Sequence, residues 1–394
     1  MTVVSEEAKN AQGNWRHAEK RRRKKKRIIL ISAAVFIVLF TAGAILFQHF
    51  RTYTGYRVRE TLEIANADEN TIYKEFGRGY VKCGGDGITY FDKNGAVVWN
   101  ESFEMSAPII DVCGNYIAVA DMKKNDIYIY DRSGYVNRIT IGRSITDVEI
   151  SEMGMAACAT GESNANYIQL IDKDGNELIT ARSVFSASGY LMDITMSKDG
   201  TRLAAAFCFI NSGAVRSKVV FYDFSREGTG DECIVGTFDQ YENTVVTNVE
   251  FMGDKKVCAV GNDTLTFYNF SGEPSIIHEE KDETWQIQSL MLSDRYVGMV
   301  MEDTAGEYNY LLKAYNSSGR EVMNVGVDYG YSHAILAGRN IMLYTNTNCH
   351  MYSFAGVHRM DYTFDDHIEV IASCGNGRDF ILGTQTGTQL IRLK

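Results

Sequence analysis

DIYIYDRSGYV, residues 126 to 136, is typical of a strand that runs into an Asp-x-x-Gly turn. Similar phrases end at Gly95 (ITYFDKNG), Gly175 (IQLIDKDG), Gly272 (LTFYNFSG) and Gly319 (LLKAYNSSG). Two divergent copies are VVFYDFS, which ends at Ser225, and CHMYSFAG, which ends at Gly356. A phrase that returns throughout a chain indicates a repeating architecture.

The first residue of each turn gives the period of the repeat. These residues, 37 to 51 positions apart, are Asp92, Asp131, Asp172, Asp223, Asn269, Asn316 and Ser353. Asp or Asn accepts hydrogen bonds from turn amides, and Gly tolerates a positive φ. We therefore predict a structural role for the Asp and Asn positions and for the glycines that close the phrases, Gly95, Gly134, Gly175, Gly272 and Gly319.

Each unit divides into an inner strand such as SITDVEIS, a second strand of small residues such as MAACAT, the aromatic phrase and an outer strand. Units of about 40 to 45 residues made of short strands are typical of propeller blades. The last unit has three strands, and the segment at 55–65 is placed to supply its fourth. The sequence predicts an all-β fold, an eight-bladed β-propeller over 51–394, with seven blades as the alternative.

The charge of the chain is divided between two regions. The net charge of −10 combines +7 before Ile28 with −17 after it. The basic residues Arg21, Arg22, Arg23, Lys24, Lys25, Lys26 and Arg27 directly precede twenty uncharged residues, Ile28 to Phe47. A helix of about 20 apolar residues spans a bilayer core, and basic flanks stay in the cytoplasm.

We therefore expect a disordered cytoplasmic tail (1–27), a transmembrane signal-anchor helix (28–50) in the lipid bilayer, and an extracytoplasmic propeller. A cleaved signal peptide is the alternative, but the apolar run exceeds the usual 7 to 15 residues of a signal core. The basic run is best explained by orientation of the span and contact with anionic lipid. An acidic body repels phosphate, so we expect no nucleic-acid partner.

Phrases such as YFDKNGAVVW resemble PQQ-like and WD-repeat-like (WD40-like) propeller repeats. The order of basic head, single span and divergent propeller resembles a domain-of-unknown-function family of single-pass membrane-anchored β-propellers from Firmicutes. That resemblance implies a fold and carries over no catalytic residue. Trp occurs only at positions 15, 99 and 285, which does not match a quinone platform, and the GH…WD dipeptides are missing. We expect no cofactor.

Candidate ligand and catalytic groups are few. DKDGNE, Asp172 to Glu177, resembles a calcium-loop fragment, but Val184 stands where the twelfth-position ligand belongs, so a turn is the better interpretation. A group of His, Cys and Asp between Cys349 and His367 matches no zinc spacing. We predict no metal site and no catalytic residues, and we treat Glu279-Glu280 and Asp365-Asp366 as solvated surface.

Eight cysteines follow the span. Most occupy inner or second strands, where Cys acts as a small buried hydrophobe, so we expect mainly free thiols, with Cys233 as the exception.

The sequence predicts a non-enzymatic scaffold, tethered to the membrane of a bacterial cell envelope, that binds a protein or glycan partner. Two other classes stay open: an envelope polysaccharide hydrolase or lyase, and a sensor of an extracellular ligand. Acids and His at one channel mouth would favour the enzyme, and an exposed apolar patch on one face would favour the scaffold.

Overall fold

The computed structural model describes residues 32–33, 35–37, 39–41, 43, 50–62, 70–225, 230–375 and 377–394. Within these, residues Tyr53–Lys394 form one compact unit. The tail 1–27, its basic residues 21–27, Ile28 and Phe47 lie outside the described residues. Of the span 28–50, the described positions between 32 and 43 are helical. No helix in the described part of the chain combines the length and the apolar character that a membrane crossing requires.

The eight-bladed propeller is confirmed: eight four-stranded antiparallel sheets follow one another around a ring. The first four blades are β2–β5 (Ile72–Phe76, Gly79–Gly84, Gly87–Phe91, Val97–Ser102), β6–β9 (Pro108–Cys113, Tyr116–Asp121, Asp126–Asp131, Gly134–Thr140), β10–β13 (Ser144–Ile150, Ala156–Gly161, Ala165–Ile171, Glu177–Val184) and β14–β17 (Tyr190–Met196, Arg202–Asn211, Ala214–Asp223, Ile234–Glu242). An α-helical turn, Phe185–Ser188, precedes β14, and a 3-10 turn, Gly230–Cys233, precedes β17.

The second half continues in the same order. Blades 5 to 7 are β18–β21 (Val246–Phe251, Lys256–Gly261, Thr264–Asn269, Ser275–Lys281), β22–β25 (Ile287–Leu292, Tyr296–Glu302, Tyr310–Asn316, Glu321–Val327) and β26–β29 (His333–Leu336, Asn340–Tyr344, Asn348–Ser353, His358–Thr363). Blade 8 combines β30–β32 (Ile368–Ser373, Asp379–Thr384, Gly387–Leu393) with β1 (Tyr56–Leu62) from the start of the domain.

The ring closes through β1, which pairs antiparallel with β32 from Tyr56 opposite Leu393 to Leu62 opposite Thr388. The N–H of Thr54 donates to the carbonyl of Lys394 at 3.0 Å, which extends the pairing past the strand. Since the first and last segments share one sheet, blade 8 has its fourth strand and β32 is not left as an open edge.

The recurring phrase has one geometry in most blades. Where the third strand meets the fourth, the register shifts just before the turn residue in blades 1 to 7, as at Tyr90/Phe91 and Phe267/Tyr268. The Asp92 carboxylate then accepts the N–H groups of Asn94 (2.8 Å) and Ala96 (3.0 Å). Such a bulge turns the chain and increases the local twist of the sheet.

The hydrophobic core is divided into eight clusters, one between each pair of neighbouring blades. Between blades 1 and 2, for example, Phe76 and Val81 pack with Ile117 and Tyr130. Second strands contribute small side chains such as Ala157 and Ala205, which suit the narrow inner part of the ring. The fold therefore depends on contacts between blades that are repeated around the axis.

The alternation of strands defines two faces. We call face A the one where first strands begin and face B the one where they end. The chain enters the ring on face B, through residues 53–55 beside Lys394. Loops after first and third strands therefore lie on face B, and loops after second and fourth strands lie on face A.

Candidate functional site

Acidic side chains line the axial channel on the first strands of neighbouring blades. They are Asp111 in β6, Asp147 and Glu149 in β10, Asp193 in β14 and Glu250 in β18. Lys74 of β2 joins them, with its ammonium 3.4 Å from Asp111 and 42% of its side chain accessible. The channel therefore carries up to five negative charges and one positive charge at this level.

The local fold explains this placement. In blades 3 to 6 the first strand shifts register against the second just before one polar residue: Asp147, Asp193, Asn248 and Ser289. A bulge re-aims the side chains that follow it, and here it repeats at equivalent positions. Glu149 and Glu250 follow two residues later on the same sides of their strands.

These carboxylates bind the backbone of the next blade. Asp111 accepts the N–H of Ile150 at 3.0 Å, Asp147 that of Ile194 at 3.4 Å, and Asp193 that of Val249 at 2.8 Å. In the same way, the N–H of Met196 donates to Glu149 at 3.3 Å and the N–H of Phe251 donates to the Thr195 hydroxyl at 3.0 Å. First strands have a free edge towards the axis, and buried N–H groups there require acceptors. The acids thus link blades 2 to 5.

The channel raises the pKa values of several of these acids. Burial, followed by the charge of Asp147, raises the pKa of Asp193 to about 8. Burial, followed by the charge of Asp111, raises the pKa of Glu250 to about 7 and that of Glu149 well above its usual value. Burial is also the largest cause of the raised pKa of Asp147. A side-chain hydrogen bond between Asp147 and Asp193 acts to raise the pKa of Asp193 and to lower that of Asp147, so it favours the proton on Asp193.

The channel can thus hold and exchange protons near neutral pH, but it does not assemble a metal centre from the described residues: no three His, Cys, Asp or Glu side chains among them are arranged to bind an ion. Glu250 is the channel acid that could also act in catalysis, because its raised pKa suits a general acid.

Face A carries an exposed apolar surface on blade 4. Its members are Tyr190, Met192, Ile210 and Val215, with Ile210 77% and Tyr190 61% exposed. Tyr190 lies opposite Cys208, and Ile210 lies opposite Val215, so alternation places Tyr190, Ile210 and Val215 on one side of the sheet. We call these four residues the blade 4 patch.

The loops of the two faces differ in charge. The described loops of face A contain eleven acidic residues and three basic residues. The acidic residues are Asp86, Glu104, Glu162, Asp263, Asp282, Glu283, Asp303, Glu307, Asp328, Asp365 and Asp366. The basic residues, Lys123, Lys124 and Arg143, all belong to blade 2. The loops of face B, outside residues 226–231, are nearly balanced in charge, with nine acidic and eleven basic residues. The acidic residues are Asp92, Glu152, Asp172, Asp174, Asp199, Glu232, Asp254, Glu273 and Asp294. The basic residues are Arg78, Lys93, Arg132, Lys173, Lys198, Lys255, Arg295, Arg320, Arg339, Arg378 and Lys394. Among the described loops, the net negative charge therefore lies on face A.

Cavities open between neighbouring blades of the ring. One of about 290 Å³ lies between blades 5 and 6 on face A and is lined by Asn248, Asn262 and Gln288 among others. The second, of about 230 Å³, lies on face B between blades 8 and 1, beside Arg59, Glu75 and Arg78. Both are lined by polar and apolar groups, and neither contains the channel acids.

The sequence-predicted turn residues lie where blades turn on face B. Asp131, Asp172, Asp223 and Asn316 each accept a backbone N–H from two residues ahead. Gly95, Gly134, Gly175 and Gly319 have positive φ, whereas Gly272, after Asn269, is not among the positive-φ glycines. In the segment that resembles a calcium loop, the carboxylate oxygens of Asp172 accept hydrogen bonds from Asp174 and Asn176.

The His, Cys and Asp group of blade 7 is only partly brought together. His350 stacks on Tyr329 with ring centroids 3.8 Å apart and lies 3.6 Å from Asp361, and burial lowers its pKa. Cys349 is buried, whereas His367 lies 2.8 Å from Asn346 in a face A loop, away from His350. All eight cysteines, Cys233 included, are free thiols, and Cys233 is buried.

Sequence reasoning did not identify the channel acids, although the signal was present. The first strands IIDVC, ITDVEI and LMDITM each place Asp inside an otherwise apolar run, and Glu follows in ITDVEI and in TNVEF. A polar residue repeated at one register of the innermost strand marks the lining of a channel.

The profile of the Family of unknown function (DUF5711) matches residues 49–393. This chain therefore belongs to that family, whose matched region is the propeller. No curated protein matches the chain.

Among solved structures, Saccharomyces cerevisiae Sqt1 is similar with a TM-score of 0.55 and 11% identity, over 87% of this chain and 99% of that chain. Chaetomium thermophilum Sqt1 bound to the N-terminus of the ribosomal protein L10 has a TM-score of 0.51 and 8% identity, over 82% of this chain and 92% of that chain. A eukaryotic initiation factor has a TM-score of 0.50 and 9% identity, over 85% and 90%. At these identities the likeness shows the fold alone.

Proposed function

We propose that this chain is a non-enzymatic scaffold, tethered to the cell membrane and facing outward, that holds a protein partner near the bacterial envelope. The observation that carries the proposal is the blade 4 patch, which exposes Ile210 and Tyr190 on face A, while the chain enters the ring on face B. An exposed apolar patch on a rigid domain marks an interaction site. A tether on face B leaves face A accessible.

Two further points support a protein partner over a glycan. The Chaetomium thermophilum Sqt1 propeller, which shares this fold, is bound to a peptide segment of another protein. The blade 4 patch combines aliphatic side chains with one aromatic ring, Tyr190, which packs against Phe185 with ring centroids 4.6 Å apart. Aliphatic surface suits protein side chains, and a protein partner is therefore the one we propose.

The membrane tether rests on the sequence. Twenty uncharged residues, Ile28 to Phe47, follow seven consecutive basic residues, and this order places the head in the cytoplasm. Protease treatment of intact cells, compared with lysed cells, tests the topology. Digestion of the propeller in intact cells supports it, and full protection until lysis contradicts it.

Crosslinked co-purification from intact cells tests the scaffold function. Full-length chain is compared with a chain truncated after Arg57, which keeps the tail and the apolar segment. Proteins recovered only with the full-length chain support a propeller partner. Equal recovery from both chains overturns the proposal and directs attention to the basic tail.

A second candidate function, hydrolysis of an envelope polysaccharide, is favoured by the channel acids. Burial raises the pKa of Glu250 to about 7, the range that a proton donor needs, and further carboxyls lie in the same channel. Release of reducing sugar ends from purified envelope polysaccharide would support it, provided that Glu250→Gln abolishes the release. No release by the full-length chain excludes it for the polymers tested.

A further inference from the structure

The blade 4 patch lies on a hairpin that projects from face A. Strands β15 and β16 are each ten residues long, and no other described strand exceeds nine. Their neighbours are shorter: β14 begins at Tyr190, opposite Cys208, and β17 ends at Glu242, opposite Arg216. The hairpin beyond Phe209 therefore has no strand on either side.

The end of the hairpin is a tight turn with an apolar pair behind it. Ser212 and Gly213 both have positive φ, 53° and 83°, which fits a two-residue hairpin turn. Ile210 and Val215 face each other directly before the turn and stay exposed. Ile210 buries little of its side chain in the fold of this chain, so its apolar character is not explained by the core.

The side chains around the hairpin leave it without excess positive charge. Arg216 forms an ion pair with Glu242 across β16 and β17. Lys218 lies over the rings of Phe207 and Phe209, and the charge of Asp239 acts on it. A cationic partner is therefore not repelled at the base of the hairpin.

An acidic surface begins on face A at the blade that follows the blade 4 patch in the ring, and it runs from the loop between blades 5 and 6 to the loop between blades 7 and 8. Blade 5 is the next blade of the ring, and the exposed loop acids of blades 5 to 7 form what we call the acidic arc: Asp282, Glu283, Glu307, Asp328, Asp365 and Asp366. The described loops of face A in these three blades contain no Lys or Arg. Two lysines on flanking strands lie near the arc: Lys281 is 3.6 Å from Asp263, and Lys313 lies over the Trp285 ring and acts on Asp282.

One member of the arc, Asp282, is held in its charged form by its neighbours. The hydroxyl and N–H of Thr284 bond Asp282 and lower its pKa, so this carboxylate is ionised at neutral pH. Tyr308, next to Glu307, is 44% exposed and adds an aromatic surface within the arc. Face A thus presents a projecting apolar edge on blade 4 and a surface of net negative charge that begins at blade 5.

We propose that face A docks a protein segment in which Lys or Arg residues adjoin apolar ones, with the apolar residues on the blade 4 patch and the cations on the acidic arc. This inference rests on the proposed function and specifies the chemistry of the partner. Apolar contact supplies affinity, and complementary charge supplies specificity and a faster encounter. The partner segment is therefore basic and amphipathic.

The test measures binding of a defined probe to the purified full-length chain in detergent micelles. The probe is a fluorescein-labelled 12-residue peptide of alternating Lys and Leu, followed by fluorescence anisotropy. Peptides of alternating Lys and Ser and of alternating Glu and Leu separate the charge and apolar contributions. Micelles contribute equally to every variant, so the comparison between variants isolates the propeller.

Two pairs of variants decide the outcome. Glu283→Gln, Glu307→Gln, Asp365→Asn and Asp366→Asn together remove four charges from the arc, and Glu152→Gln, Asp174→Asn, Asp254→Asn and Glu273→Gln remove four exposed acids from face B. Ile210→Ser with Val215→Ser removes the apolar pair, and Met153→Ser, 67% exposed on face B, is its control.

We expect the arc variant and the hairpin variant each to weaken Lys-Leu binding about ten-fold, as several exposed charge pairs or two apolar contacts would. The face B controls should bind as the wild-type chain does. Equal loss in the arc and face B variants, or unchanged binding in the arc or hairpin variant, would overturn the inference.

The two proposals fail separately. A partner recovered from cells by the full-length chain, combined with unchanged peptide binding by the arc variant, overturns this inference alone. Absence of any propeller-dependent partner in cells, combined with the expected loss of peptide binding, overturns the proposed function alone.

Discussion

The carboxylate of Asp111, on the first strand of blade 2, accepts the backbone N–H of Ile150, on the first strand of blade 3, at 3.0 Å. The same side chain lies 3.4 Å from the ammonium of Lys74 on blade 1. One residue thus joins three consecutive blades at the axis, where first strands have no neighbour of their own.

Replacing Asp111 tests this link. Asp111→Ala leaves the N–H of Ile150 and the ammonium of Lys74 without this acceptor, and we expect a loss of about 1–3 kcal/mol in the free energy of unfolding. Asp111→Asn keeps an acceptor for the N–H and should lose less. Urea denaturation followed by tryptophan fluorescence measures both. An equal effect of Ala and Asn would mean that the hydrogen bond does not matter.

The pH dependence of stability follows from the raised pKa values in the channel. Asp193, with a pKa of about 8, and Glu250, with a pKa of about 7, stay protonated in the fold above the pH at which they ionise in the unfolded chain. The folded state therefore binds more protons, and stability must fall as the pH rises from about 4 towards 8. With these two pKa values we expect a loss of about 5 kcal/mol between pH 5 and pH 7.5.

Glu250→Gln is the matched variant for this prediction. A neutral amide has no proton to lose, so the variant should show a smaller loss of stability over the same pH range, while its stability at pH 5 stays close to that of the wild-type chain. Denaturation at both pH values measures the slope. A wild-type chain whose stability rises with pH would show that the channel acids ionise freely in the fold.

Two glycines in the same slot of the repeat provide a further test. Gly319 has a φ of +78°, and a Cβ there would lie 2.5 Å from the Cβ of His278. Gly272, in the preceding blade, has nothing within 4 Å of an added Cβ and no positive φ. We expect Gly319→Ala to destabilise the chain by about 1–2 kcal/mol and Gly272→Ala to be neutral or slightly stabilising. Thermal unfolding of the two variants compares them, and equal effects would contradict the turn geometry.

Closure of the ring can be tested by deletion. Removal of residues 1–52 leaves β1 and its pairing with β32 intact, so the propeller should stay folded and monomeric. Removal of residues 1–62 takes away β1 and the buried Leu62, and exposes the edge of β32. We expect the second chain to aggregate or to unfold at a lower temperature. Similar size-exclusion profiles and melting temperatures for the two chains would show that β1 is dispensable.

The sequence predicted the ring because the third strand of each blade repeats its chemistry. Asp92 and Asp172 recur with a Gly three residues later, and the turn needs both residue types. The last unit of the sequence has three strands, which predicts that a segment before the first unit supplies the fourth. The strand β1 is that fourth strand of blade 8. These features depend on local geometry, which the order of residues encodes directly.

The channel and face A were harder to predict because they depend on which blades become neighbours. Asp193 and Val249 are 56 residues apart, yet lie 2.8 Å from each other in adjacent blades. In the sequence, Ile210 and Val215 are typical strand residues. Their exposure depends on the positions where β14 begins and β17 ends, which leave them without a neighbouring strand. Asp365 and Asp366 are predicted from the sequence to be solvated surface, since sequence does not assign a loop to one face.

The most direct test of the account is site-specific photo-crosslinking in intact cells. A photoreactive amino acid is placed in the full-length chain at Ile210 on face A or at Met153 on face B, both strongly exposed. If a protein partner docks on face A, a discrete adduct with another protein forms from position 210 and none forms from position 153. Adducts from both positions alike, or from 153 alone, would contradict docking on face A.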